Sequence, residues 1–181
     1  MFTVERLLRG GAAKDAKATL DHPLEHLVAC HERIEERLAV LERAAENLET
    51  NQREALEAAA GCFRYFDTSG VLHTRDEEES VFPRITPRLA RDEAGYLADL
   101  ESQHREAEEL YGRLRRLPDP LAPDDVTAWR QTVARFCALY RSHIASENER
   151  LIRLARSALT GGELAAISAE MKRRRGLLTE P

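Results

Sequence analysis

Runs of β-branched residues are almost absent from this 181-residue chain. That excludes a sheet-built core and leaves helices as the means of burying its apolar residues. No apolar stretch approaches the ~20 residues of a membrane span. The opening residues, "MFTVERLLRGGAAKDAKATL", lack a secretory apolar region and cleavage site, so a cytoplasmic protein without membrane association is expected. Cysteine is scarce as well. Cys30, Cys62 and Cys137 show no CxxC spacing and are odd in number, which speaks against a disulfide framework or a thiolate zinc site and leaves small buried thiols. Positive charge is not in excess: 27 Lys and Arg stand against 32 Asp and Glu, a net charge of -5, so no nucleic-acid partner is expected. The one basic run, Lys172-Arg173-Arg174-Arg175, is expected to be a solvated helix end favoured by the helix dipole. Nor is there a Gly-rich phosphate loop after a strand, or a GxSxG nucleophile turn.

What the chain does have is Ala, Leu, Glu and Arg in helical rhythm. Residues 1–20 show little periodicity and are expected to be a loosely ordered lead-in. Residues 21–159 carry four amphipathic stripes, and 160–181 a short C-terminal helix and tail. The first stripe is Leu27, His31, Ile34, Leu38, Leu41, Ala45 and Leu48, following Asp21-His22-Pro23 as a helix start. The second begins near Asn51 and passes through Leu56, Ala59, Phe63 and Phe66 to His73 and Glu77. A kink is expected at "DTSG", and Pro83 and Pro87 are expected to end or break the helix. The third runs from about Asp92 to Leu117, through Leu97, Leu100, His104, Ala107, Tyr111 and Leu114, and "PDPLAP" closes it. The fourth has Asp124 as its expected N-cap and runs through Val126, Trp129, Val133, Phe136, Tyr140, His143, Glu147 and Leu154. Four long helices with short or Pro-rich connections predict an all-α, antiparallel up-down-up-down four-helix bundle, with the segment after Thr160 packing on its outside.

Each stripe carries a histidine on its core side. His73 and Glu77 are four residues apart, as are His143 and Glu147, so each pair projects from one helix face into the interior. A carboxylate in an apolar core is costly unless it is paired, protonated or bound to metal. With helices two and four parallel to each other, the two His-x3-Glu units meet across the axis. Glu77 and Glu147 can then bridge two ions, while His31, His73, His104 and His143 cap them two by two. Nitrogen and oxygen ligands in that number suit a non-haem di-iron or di-manganese centre better than a single four-coordinate zinc.

The other two histidines, His22 and His26, are expected at the surface, since His26 lies about 140° round the helix from His31. Glu108, one turn after His104, has three readings: a seventh ligand, a hydrogen-bond partner of a ligand, or a solvated charge, with the last two favoured. Asp76, Glu78 and Glu79 are expected to face solvent, with Glu78 as the substitute bridge. Tyr111 and Tyr140 are expected to fill the core, either being able to donate a hydrogen bond near the centre.

The segments "ACHERIEERL", "HTRDEEESVFP", "ESQHREAEEL" and "HIASENERLIRLA", spread over nearly all of residues 21–159, resemble the hemerythrin-like (HHE cation-binding) family. The most specific part is the His-x3-Glu-x4-Phe-Pro pattern from His73, and "ISAEMKRRRG" resembles a tail of bacterial members. The resemblance implies a carboxylate-bridged di-iron centre, with His31, His73, Glu77, His104, His143 and Glu147 as ligands and Glu77 and Glu147 as bridges. Two iron ions are thus expected ahead of manganese or zinc. Oxygen-carrying members have a second histidine where this chain has Glu108, which puts simple oxygen carriage in doubt and points to more open coordination. The leading expectation is a protein that binds or senses oxygen, nitric oxide or peroxide. A di-iron oxidoreductase or iron-donating repair protein, and a metal-free structural bundle, remain the alternatives. Oligomeric state and catalytic turnover are left open.

Overall fold

A computed structural model describes residues 20–117 and 122–179, and among these every regular element is helical. Helix α1 is Pro23–Asn47. Helix α2 is composite: Gln52–Tyr65, a wide π turn Phe66–Gly70, Val71–Asp76, a second wide turn Glu77–Val81, then Phe82–Ile85, closed by a tight turn Thr86–Arg88. Helix α3 is Arg91–Leu114. Helix α4 joins Pro123–Ser146, a wide turn Glu147–Leu151 and Ile152–Ala158, and α5 is Gly161–Arg174. Helix α1 packs on α2 and α4, and α3 on α4. The chain is an all-α, antiparallel up-down-up-down bundle with a shorter C-terminal helix. The lead-in expected at residues 1–20 lies outside the described residues except for Leu20, which is buried. Residues 118–121 of "PDPLAP" also lie outside them.

Helix ends follow local chemistry. Pro23 occupies the first turn of α1, where a missing N–H costs least. Asn51 stands at the start of α2, as expected. Asp124 is not the cap of α4. The chain is extended at Ala122, whose N–H donates to the Asp125 carboxylate at 3.0 Å, so an acid three residues into the helix caps it from inside. Helix α5 has the reciprocal form: Thr160 N–H donates to Glu163 at 2.9 Å and Glu163 N–H to Thr160 Oγ1 at 3.3 Å.

The two predicted interruptions of α2 fall at or beside its wide turns. At "DTSG" the helix widens through Phe66–Gly70 and continues, with Phe66 and Gly70 buried. At Pro83 the regular helix is broken by the wide turn before it and does not end. Pro83 sits in the first turn of the segment that resumes after Glu77–Val81, where a proline is tolerated, and the helix stops only around Pro87.

The apolar stripes bury as two clusters. One gathers Ile34, Leu38, Leu41, Ala59, Phe66, Leu114, Trp129, Val133 and Phe136. The other gathers Leu24, Leu27, Val81, Phe82, Leu100, Leu151, Ile152, Ile167 and Met171. On three long helices the predicted histidine falls between them, His31 between Leu27 and Ile34, His73 between Phe66 and Val81 and His104 between Leu100 and Ala107, and on α4 Glu147 does, between Ile144 and Leu151. A polar layer therefore interrupts the core.

Helix α5 contributes Ile167 and Met171 to the second cluster, and Ser168 Oγ donates to the Leu20 carbonyl at 2.6 Å. Its C-terminal end overturns two expectations at once. Arg174 Nε donates to Asp76 Oδ1 at 2.8 Å and Arg175 Nη2 to Asp76 Oδ2 at 2.6 Å, and Asp76 is 0% exposed. So Asp76 is not on a solvated face, and the basic run is not simply a solvated helix end. Arg84 adds a second link, donating to Glu170 at 2.6 Å. Glu79 does remain half-exposed, paired with Arg75 at 2.7 Å.

Removing one member of a buried ion cluster leaves the others uncompensated, so Asp76→Asn should destabilise the fold by about 3 kcal/mol. Urea unfolding is the check: a lowered midpoint at unchanged slope is expected, and an unchanged midpoint would refute the structural role given to the cluster. Arg88 and the Thr160 cap hold the exposed Glu163 carboxyl down at about 2, against an ordinary 4.5. Because the folded-state value is depressed, this contribution is complete above pH 4.5 and fades as pH falls towards about 2. Glu163→Gln should accordingly flatten that portion of the stability profile, read from urea midpoints across the same range.

Candidate metal centre

All six residues predicted from the sequence meet in the polar layer. His31, His73, Glu77, His143 and Glu147 are buried, with both glutamates at 0% exposure, and the His104 side chain is nearly covered. His31 Nε2 lies 3.7 Å from Glu77 Oε1 and 3.2 Å from Glu147 Oε2, and His73 Nε2 lies 3.5 Å from Glu77 Oε1. On the other side, His104 Nε2 lies 3.5 Å from Glu77 Oε2, and His143 Nε2 is 3.1 Å from Glu147 Oε1. Each carboxylate thus turns one oxygen towards each histidine pair. Two groups result, His31–His73–Glu77–Glu147 and Glu77–His104–His143–Glu147, each with donor atoms within 4.8 Å of one another.

Both glutamates begin a wide turn. The Phe82 N–H reaches back to the Glu77 carbonyl and the Ile152 N–H to the Glu147 carbonyl, each across five residues. Insertions of this kind concentrate at functional sites, because they re-aim one side chain without ending the helix.

The outward nitrogens of three histidines are also occupied. His31 Nδ1 donates to Asn148 Oδ1 at 2.7 Å, His104 Nδ1 to Glu78 Oε1 at 2.7 Å, and His143 Nδ1 to Gln103 Oε1 at 2.8 Å. With Nδ1 held in this way each Nε2 points inward, that of His31 at the carboxylates and those of His104 and His143 both at the carboxylates and at each other, 2.9 Å apart. Glu78, expected to face solvent or substitute as a bridge, is instead this orienting acceptor. Asn148 and Gln103 were not singled out from the sequence, although each directly adjoins a predicted residue. Glu108 is exposed and belongs to neither donor group. Tyr111 donates to the Phe63 carbonyl and to Asp67, away from the centre.

His22 is exposed, as expected, but His26 is buried at 2% exposure. The α1 face that carries it, expected to be wet, is covered by Tyr65, Ser69 and Leu72 of α2 and by Arg175. Cys30, Cys62 and Cys137 are free and buried, as expected. Burial raises the Cys30 thiol, but hydrogen bonds from His26 and His73 outweigh it and bring the thiol down to about 5.

The cluster is an electrostatic trap for cations. Burial lowers the His31 pKa, yet hydrogen bonding to Glu147 and Glu77 more than offsets it and lifts His31 to about 10. The same opposition, with Glu77 and then Glu78, brings His104 to about 9. Burial pushes Glu77 up, but the charge of His73 and hydrogen bonds from His104 and His31 hold it well below the carboxylate range. Glu147 is lowered too, His143 and His31 outweighing burial and the nearby Glu77 charge. Even so, both oxygens of each glutamate and Nε2 of His31 lack a hydrogen bond of good geometry. Protons on the imidazoles and metal cations are alternative ways of meeting this charge.

A cavity of about 400 Å³ reaches the centre at His104, between Phe66, Gly70, Ala107, Phe136 and Tyr140, with Glu78 and Glu108 also in its wall. Asn148→Ala would leave the His31 Nδ1 donor without its acceptor, at a cost of about 1–3 kcal/mol. Urea unfolding of the metal-free chain measures it, and stability equal to wild type would mean that Asn148 does not orient His31.

No curated protein matches the chain. Residues 22–155 match the hemerythrin HHE cation-binding domain.

Proposed function

The chain belongs to the hemerythrin HHE cation-binding family, and we propose that it binds two iron ions and uses them to bind or sense a small ligand: oxygen, nitric oxide or peroxide. One observation carries the reading: two donor groups, each of two histidines and two glutamates, share the same pair of carboxylates. His31 and His73 would serve one ion, His104 and His143 the other, with Glu77 and Glu147 common to both. The residues fit such a pair. The four glutamate oxygens are buried without good hydrogen bonds, and imidazole with carboxylate is a donor set suited to iron. The same orphaned oxygens weigh against a metal-free structural bundle, since uncompensated buried acids are costly.

When bound, iron supplies an open, redox-active Lewis-acid position for a small ligand. The chain's own residues govern orientation and access. Asn148, Gln103 and Glu78 fix three imidazoles by their Nδ1 protons. Phe66, Phe136 and Tyr140 give the cavity beside His104 an aromatic wall that limits water. Glu108 is exposed in that wall and in neither donor group, leaving the His104 side less encumbered. The cavity also supports a second reading. At about 400 Å³ it exceeds what a diatomic needs and has room for a peroxide as the substrate of a di-iron oxidoreductase.

Anaerobic iron loading followed by metal analysis is the test. Wild type should hold about two irons per chain. His73→Ala and Glu147→Ala should lose most of it, and Glu78→Gln should weaken iron affinity by about 10–100-fold. Wild-type protein that stays metal-free with iron supplied would sink the proposal. Stopped-flow mixing with peroxide separates the two readings, since a binding protein reacts once per centre and an enzyme turns over.

A further inference from the structure

A second cavity of about 210 Å³ shares no lining residue with the one beside His104. It lies between Cys30, Arg33 and Arg37 of α1, Tyr65 and Ser69 of α2, and Arg175 just past α5. Three guanidinium groups and His26 line it, and no carboxylate does, in a chain of net charge -5. Asp76 accounts for Arg175, at 2.6 Å. Arg33 and Arg37 have no carboxylate partner among the described residues. Arg33 Nη2 rests 3.2 Å from Cys30 Sγ, and the Arg37 guanidinium lies over the Tyr65 ring at 5.5 Å. The Tyr65 hydroxyl is buried and makes no hydrogen bond of good geometry, although the Arg33 guanidinium lies close enough to donate towards its oxygen, and its O–H has no acceptor.

We propose that this cavity binds a small oxyanion of the phosphate class, held by Arg33 and Arg37 and by a hydrogen bond donated from the Tyr65 hydroxyl. Guanidinium groups present paired N–H donors matched to an oxyanion, and a buried O–H without an acceptor gains most from acquiring one. At about 210 Å³ the cavity is smaller than the ~300 Å³ at which pockets for drug-sized ligands begin. It suits the anion itself, or a phosphomonoester whose carbon end stays in solvent, and not an enclosed nucleotide. With Arg175 held by Asp76, the guanidinium groups of Arg33 and Arg37 are the two left to meet an anion.

The test is calorimetric titration of the iron-loaded full chain with orthophosphate, with glycerol phosphate as a second arm. Wild type should bind one orthophosphate per chain. Arg33→Gln combined with Arg37→Gln should weaken this by at least about tenfold, with iron content and melting temperature unchanged. Arg135→Gln, exposed on α4 and outside the cavity, should bind as wild type. Equal binding of glycerol phosphate identifies a phosphomonoester as the ligand source, and its failure to bind identifies the free anion. No saturable binding up to about 10 mM phosphate would overturn the proposal. So would undiminished binding by the double variant, which would place the anion on the metal. Should the double variant lose iron or fold poorly, Arg37→Gln alone decides: an affinity within about twofold of wild type overturns the site.

Discussion

Two fully buried carboxylates, Glu77 and Glu147, are the constraint on which the rest of the structure depends. An isolated carboxylate does not survive in an apolar interior as a charge. Everything around these two supplies compensation: four imidazoles within 3.1–3.7 Å in the described state, and a geometry that accepts cations in two places. The apolar core divides into two clusters on either side of this layer. A bundle of this length could have been closed with leucine throughout, and its sequence gives up that packing at the level where the charges meet.

The compensation is organised by backbone as well as by side chains. Both glutamates open a wide turn, so each helix gains a residue where its carboxylate enters the layer. Next to Glu77 stands Asp76, clasped by Arg174 and Arg175. Consecutive acids on α2 therefore face opposite ways, one into the bundle and one onto α5. The second fastening limits how far the wide turn can relax, which ties the C-terminal helix to the position of a glutamate it does not touch.

Much of this was legible in the sequence because it is periodic. The four stripes named the buried faces, and the spacing of His73 with Glu77 and of His143 with Glu147 placed two donors per helix on one side. What was not legible depends on contacts remote in sequence. Asp76 and Arg174 are 98 residues apart, and no periodicity says that a fifth helix covers the polar face of α2. His26 was misplaced for the same reason, since its angle on α1 is right but the face it occupies is covered. Asp124 failed as a cap because an acid inside the first turn can do the same work as one before it. Glu78 shows the finer limit: spacing put it one residue off the stripe, and only the position of His104 on α3 makes it an orienting acceptor.

The orienting hydrogen bonds also account for why the two histidine pairs are not equivalent. His31 and His143 lean on neutral amides, Asn148 and Gln103, whereas His104 leans on the carboxylate of Glu78. An anionic acceptor raises the basicity of the imidazole it orients more than an amide does. His73 differs again, since its Nδ1 makes no hydrogen bond of good geometry and faces the influence of Cys30. The 400 Å³ cavity opens on the His104 side and the arginine-lined cavity on the Cys30 side. The layer is symmetric in its ligand types but not in its surroundings, and a ligand arriving through the larger cavity meets first the imidazole backed by a carboxylate.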